Sequence, residues 1–98
     1  MRHEIILAPE AVEDLNALKA SIRAAVKKAL ETHLRYEPTK ISRSRIKRLR
    51  GLERPQYRLR VDDIRVFYDV VDTDVEVLAI VPKSEAERWL ERYEKRTK

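Results

Sequence analysis

Arginine is the side chain that this sequence repeats at a spacing able to do chemistry. In Tyr57-Arg58-Leu59-Arg60-Val61-Asp62-Asp63-Ile64-Arg65-Val66-Phe67-Tyr68, alternation with period two sends Tyr57, Leu59 and Val61 to one side of a strand and Arg58 and Arg60 to the other. Asp62-Asp63 has the composition of a two-residue hairpin loop. With those two residues as the loop, Val61 pairs with Ile64, Arg60 with Arg65 and Leu59 with Val66. Arg58, Arg60 and Arg65 then share one face, two of them directly opposed. Like charges across a ladder destabilise it, by roughly a few tenths of a kcal/mol or more. A fold gains nothing from that arrangement, whereas a phosphate site does, because guanidinium groups present a fork of donors and stay charged at any ordinary pH. The plain alternative is long arginines splayed into water from an exposed face.

Other chemistries are scarce. His3 and His33 are far apart, and no histidine or carboxylate spacing suggests a metal site, so neither metal nor cofactor is expected. One glycine excludes the glycine-rich nucleotide loops, and the lack of cysteine excludes disulfides, thiol catalysis and thiolate zinc sites. The aspartates at 62, 63, 69, 72 and 74 fall at expected turns and strand ends. Trp89 and Tyr93 have the helical spacing of core residues, and either could stack on a base if their helix borders the basic face.

The positive charge is local. Between Pro38 and Arg60, nine basic residues stand against the single acid Glu53, while the chain as a whole carries only +5. The remainder is therefore net acidic, and a polyanion or an acidic protein is the leading partner class. Lys40 to Arg45 reads as a solvated linker. Lys47, Arg48 and Arg50 adjoin the arginine hairpin and read as functional, with Arg45 at the border. Gly51, in Leu49-Arg50-Gly51-Leu52, marks a loop that needs a positive φ. Arginine forks suit RNA binding, and they suit the dianionic phosphorane formed when a ribose 2′-OH attacks its neighbouring phosphate.

The elements that position these residues follow from periodicity. Ile5-Ile6-Leu7 makes a short strand, and Pro9 opens a helix with Ala8, Ala11, Val12, Leu15 and Leu18 on its apolar stripe. Ser21 is a candidate N-cap for a second helix bearing Ile22, Val26, Ala29, Leu30 and His33-Leu34, and the short connection makes the pair an antiparallel hairpin. Strands follow over 57–61, 64–71 and 75–81, with turn residues at Asp72-Thr73-Asp74. Leu78-Ala79-Ile80-Val81 is apolar throughout, as in a strand covered on both faces. Ser84 and Glu87 read as a capping box for a last helix bearing Ala86, Trp89, Leu90 and Tyr93, fraying into Lys95-Arg96-Thr97-Lys98. The fold class is α+β in a single domain over residues 1–98: N-terminal strand, antiparallel helical hairpin, three-strand antiparallel meander and C-terminal helix. With no long apolar run, the chain reads as soluble and cytoplasmic, with no membrane partner.

Two motifs, Lys47-Arg48-Leu49-Arg50-Gly51-Leu52 and Tyr57 to Val70, resemble the basic-Leu-x-Gly loop and the paired basic strands of the RelE/ParE superfamily of type II toxins. The order of elements agrees over roughly residues 3 to 90. The resemblance implies a RelE-like, microbial-RNase-like fold and a toxin neutralised by a cognate antitoxin, expected to offer an acidic helical segment. For the RelE branch it implies entry into the ribosomal A site and cleavage of messenger RNA by 2′-OH attack. Arg58 and Arg60 fall on the paired basic positions and Arg65 on the phosphate-contacting arginine, with Lys83 the nearest cation after the last strand. Arg45, Lys47, Arg48 and Arg50, with Trp89 and Tyr93, would hold RNA. Three departures stand out: arginine replaces lysine at the paired positions, a late arginine gives way to Lys83, and Leu90 lies near the place of a late tyrosine. They leave open a ParE-like inhibitor of DNA gyrase, or a weakened homologue acting mainly as antitoxin partner and co-repressor.

Overall fold

The computed structural model describes residues 1–51 and 53–97, the side chains of Arg96 and Thr97 excepted. Leu52 of the glycine-loop motif and Lys98 of the tail lie outside the described residues. The strands are β1 (Glu4–Leu7), β2 (Ile46–Arg48), β3 (Tyr57–Val61), β4 (Ile64–Val71) and β5 (Asp74–Pro82), and the helices α1 (Pro9–Ala17), α2 (Ala20–Ala29) and α3 (Lys83–Thr97). One sheet of order β1-β5-β4-β3-β2 joins all five strands, with β1 parallel to β5 and every other pair antiparallel.

The hairpin forms in the expected register, with Val61 opposite Ile64, Arg60 opposite Arg65 and Leu59 opposite Val66. Asp62, the first residue of its loop, takes φ +51°, and Asp72 in the next loop takes φ +55°, a region aspartate tolerates because its short side chain bonds locally. Leu59, Val66, Tyr68, Val75, Val77 and Ile80 face α1 and α2, meeting Ala11, Leu15, Val26, Leu30 and Leu34. Phe67, Leu78, Ala79 and Val81 face α3 and meet Trp89. Covered on both sides, β4 is buried continuously from Ile64 to Asp69. A register shift at Phe67/Tyr68 leaves Leu78 unopposed in β5, and this bulge lets a run of apolar residues serve both cores.

Several elements differ from the sequence expectation. The antiparallel part of the sheet has four strands, because Ile46 inserts into the core opposite Leu59 and draws β2 onto β3. The segment before it is solvent-exposed, as expected, and is built into a turn. Ser42 Oγ accepts the N–H groups of Arg45 and Ile46, both at 3.0 Å, and the Ser42 N–H donates to the Ile46 carbonyl at 3.0 Å. Ser21 lies inside α2, whose N-cap is Lys19, and Ser84 lies inside the first turn of α3. Asp74 already belongs to β5, opposite Val71. Past Ala29 the helix widens into a π turn over Leu30–Leu34. Gly51 does take a positive φ, +78°, and its surroundings would leave room for a Cβ, so the backbone angle alone calls for glycine.

Tyr68, fully buried in the core, donates its hydroxyl to the Pro38 carbonyl at 2.6 Å. Burial, followed by the neighbouring Tyr57, pushes this phenol far above its ordinary range, so it stays a donor. Tyr68→Phe removes the donor and leaves a carbonyl unsatisfied; a loss of about 1–3 kcal/mol is expected. Urea unfolding measures it, and an unchanged midpoint would show that Pro38 is not held from the core.

Candidate functional site

The sheet face that α3 only partly covers carries the arginines. Across the ladder Arg60 meets Arg65, Arg58 meets Phe67, and on the other side Lys47 of β2 meets Arg58. The unexpected strand thus adds a fourth cation to the row. Among the described residues, no ion pair reaches Arg58, Arg60 or Arg65. Arg65 is 7% exposed and is held by uncharged groups, its Nη1 donating to the carbonyls of Asp62 at 2.8 Å and Ile64 at 3.1 Å. Arg58 Nε is buried without a hydrogen-bond partner. Burial, followed by the charges of Arg65 and Arg60, holds the Arg58 guanidinium below the ordinary arginine range. Like-charged donors, partly desolvated at Arg58 and Arg65 and with no carboxylate paired to them among the described residues, make a cradle for an anion.

The other candidates fall around this row. Lys83 opens α3, and its N–H donates to the Asp63 carbonyl at 2.7 Å, tying the helix start to the arginine hairpin's turn; its side chain is exposed. Arg45 is exposed and shares a groove with Ser44, Arg60 and Asp62. Arg48 lies on the opposite face, 5.3 Å from the centre of the Tyr57 ring, with Nη1 donating to the Gln56 carbonyl at 2.7 Å. Arg50 is exposed in the glycine loop. Trp89 does not fit a base-stacking role. It is 4% exposed, its ring lies between Phe67 and Tyr93 with centroids 4.9 and 4.8 Å away, and its Nε1 donates to Glu10 at 2.5 Å. Both faces of the indole are already used. Tyr93 is half-buried and belongs to the same stack.

Sequence reasoning passed over Asp69, taken for a strand-end residue. It is 2% exposed in the middle of β4, accepting the Arg54 Nε and the Gln56 N–H, both at 2.7 Å. Gln56 in turn accepts the Val70 N–H on its side chain at 2.9 Å and the Leu49 N–H on its carbonyl at 2.8 Å. This chain of bonds fixes the basic loop to the sheet. The signal was available: an acid two residues after Phe67 in an apolar strand points into the core and requires partners. His33 was also set aside, and it lines a polar pocket beside Arg45.

The fold places the chain among RelE-like toxins. A chain of the RelBE2 toxin–antitoxin complex from Mycobacterium tuberculosis superposes with a TM-score of 0.72 and 25% identity, covering 84% of this chain and 99% of that one. The RelE-RelB complex of the archaeon Pyrococcus horikoshii gives 0.69 at 24% identity over 85% and 97%. Escherichia coli RelE, a mutant with two arginines changed to alanine in the free state, gives 0.69 at 23% identity over 93% and 94%. No curated protein matches the sequence. A family model described as the ParE toxin of type II toxin–antitoxin system, parDE, matches residues 5–87, and the chain belongs to this family within the RelE/ParE superfamily. It is accordingly a toxin of a type II toxin–antitoxin system.

The uncompensated arginines set function against stability. Arg58→Met keeps the aliphatic stem while removing a desolvated charge and a buried orphan donor, and is expected to raise stability by about 1 kcal/mol. A urea midpoint that falls would mean the row is neutralised in a way the geometry does not reveal.

Proposed function

We propose that this toxin is a ribosome-dependent messenger RNA endonuclease that stops translation, using Arg58, Arg60 and Arg65 to clamp the reacting phosphate, with Lys83 assisting. The reading rests on the row of guanidinium groups that, among the described residues, no carboxylate neutralises. In the proposed step the 2′-oxygen loses its proton and bonds to phosphorus, the bond from phosphorus to the 5′-oxygen breaks, and that oxygen takes up a proton. Negative charge peaks on the non-bridging oxygens, where preorganised cations act most strongly. A metal is not required for this step, since the cations supply the charge. Proton transfer is the difficult part for arginine. Arg58, held below its ordinary range by burial and two like charges, still stays charged, and its part is to meet the negative charge of the phosphate. Lys47 extends the cradle, and Arg45 and Arg50 flank it for the messenger or ribosomal backbone.

The antitoxin complexes among the structural relatives support a cognate antitoxin as partner. An acidic helical segment would suit the basic face. A second reading, inhibition of DNA gyrase, draws on the ParE description of the matching family.

In a purified translating system, primer extension should reveal new messenger ends within A-site codons. Arg65→Ala, folded by circular dichroism, should cut about 100-fold less or worse. Undiminished cutting by that variant would overturn the assignment. Intact messenger with blocked supercoiling would transfer it to gyrase, and neither effect would leave the role of antitoxin partner.

A further inference from the structure

A second polar cavity lies at the edge of the sheet, between the π turn and the segment leading into β2. It measures about 230 Å³ and is lined by Thr32, His33, Glu37, Lys40, Ser42 and Arg45, with Ile46 as its floor. A water's share of liquid volume is about 30 Å³, so there is room for a phosphoryl group together with several waters. Arg45 belongs to this cavity and also to the groove that holds Arg60. The Arg60 N–H donates to the Arg45 carbonyl at 2.8 Å, so the two residues keep a fixed relation. We infer that this cavity is a second phosphate subsite, which takes a phosphate from the same single RNA strand whose reacting phosphate lies on the arginine face.

The donors are arranged for that role. Ser42 Oγ already accepts two backbone N–H groups, leaving its own hydrogen to donate into the cavity. The one lining acid, Glu37, pairs with Lys40 at 3.5 Å, with side chains 65% and 70% exposed. Such an exposed pair is worth little, so Lys40 can exchange carboxylate for phosphate. His33 sits in a π turn, a helix irregularity common at functional sites. Its burial, followed by the Arg45 charge, holds it below the ordinary histidine range, and Glu37 and Lys40 are the other charged groups on its cavity. An incoming phosphate favours the imidazolium. Affinity at this subsite therefore rises as pH falls through the His33 titration.

The inference rests on the reading of the arginine face as an RNA site, and the test separates the two. The probes are 2′-O-methyl single strands, which resist cleavage: a trinucleotide that occupies only the arginine face and an octanucleotide that reaches the cavity. Anisotropy should show both bound through Arg65, the longer about tenfold more tightly. Lys40→Gln combined with His33→Gln should erase that gain and leave trinucleotide binding intact, which also reports that the variant is folded. By NMR, the His33 titration midpoint in the wild-type chain should rise with the octanucleotide and not with the trinucleotide. An octanucleotide that keeps its gain in the double variant, or an unmoved midpoint, overturns the subsite. A midpoint raised equally by inorganic phosphate alone makes the cavity an isolated anion site and overturns the shared strand. If Arg65→Ala binds both probes as well as wild type, the arginine-face reading fails first, and the shared strand with it.

Discussion

The Asp62-Asp63 loop fixes which residues of β3 and β4 oppose each other, and the site follows from that register. Leu59 and Val66 are buried together on one face, so the arginines must come together on the other. A slip of one residue would drive guanidinium groups into the core and expose the apolar set, an exchange no small domain could survive. Burial therefore holds two like charges opposite each other, although their own interaction opposes it. The hydrophobic pattern supplies the stability, and the repulsive pattern supplies the binding site.

The same division explains what could be read from the chain alone. The hairpin register was legible because alternation and a two-residue loop leave few alternatives. The double coverage of β5 was legible from Leu78 to Val81, although the bulge that distributes those residues between two faces was not. β2 was hidden because it is only three residues long and has a single inward apolar residue, Ile46, within a basic run. Short strands carry too little periodicity to stand out from a charged segment. The caps at Ser21 and Ser84 misled for a local reason: each serine precedes an apolar stripe, but the helices begin a residue or more earlier.

Within the site, the arginine cluster was visible and its surroundings were not. Period two shows that Arg58, Arg60 and Arg65 share a face. It does not show that Arg65 is held by two carbonyls, that Arg58 has a buried unpaired nitrogen, or that Lys47 completes the row. Those facts depend on pairings between distant segments. Trp89 is the converse case, since helical spacing allowed either packing or recognition, and the ring stack with Phe67 decided for packing.

One strand does more than fill the core. Tyr68 and Asp69 are adjacent in β4 and point to opposite faces, and each grips a different end of the basic segment: Tyr68 holds Pro38, and Asp69 holds Arg54 and Gln56. The segment between them is in effect a lariat knotted at a single point of a buried strand. The conformational entropy of its two held ends is surrendered when the core forms, before any ligand arrives. A polyanion then meets a loop already anchored, and less of the attraction is consumed in ordering it. Any partner that works instead by loosening β4 at these two residues would slacken both ends of the lariat together.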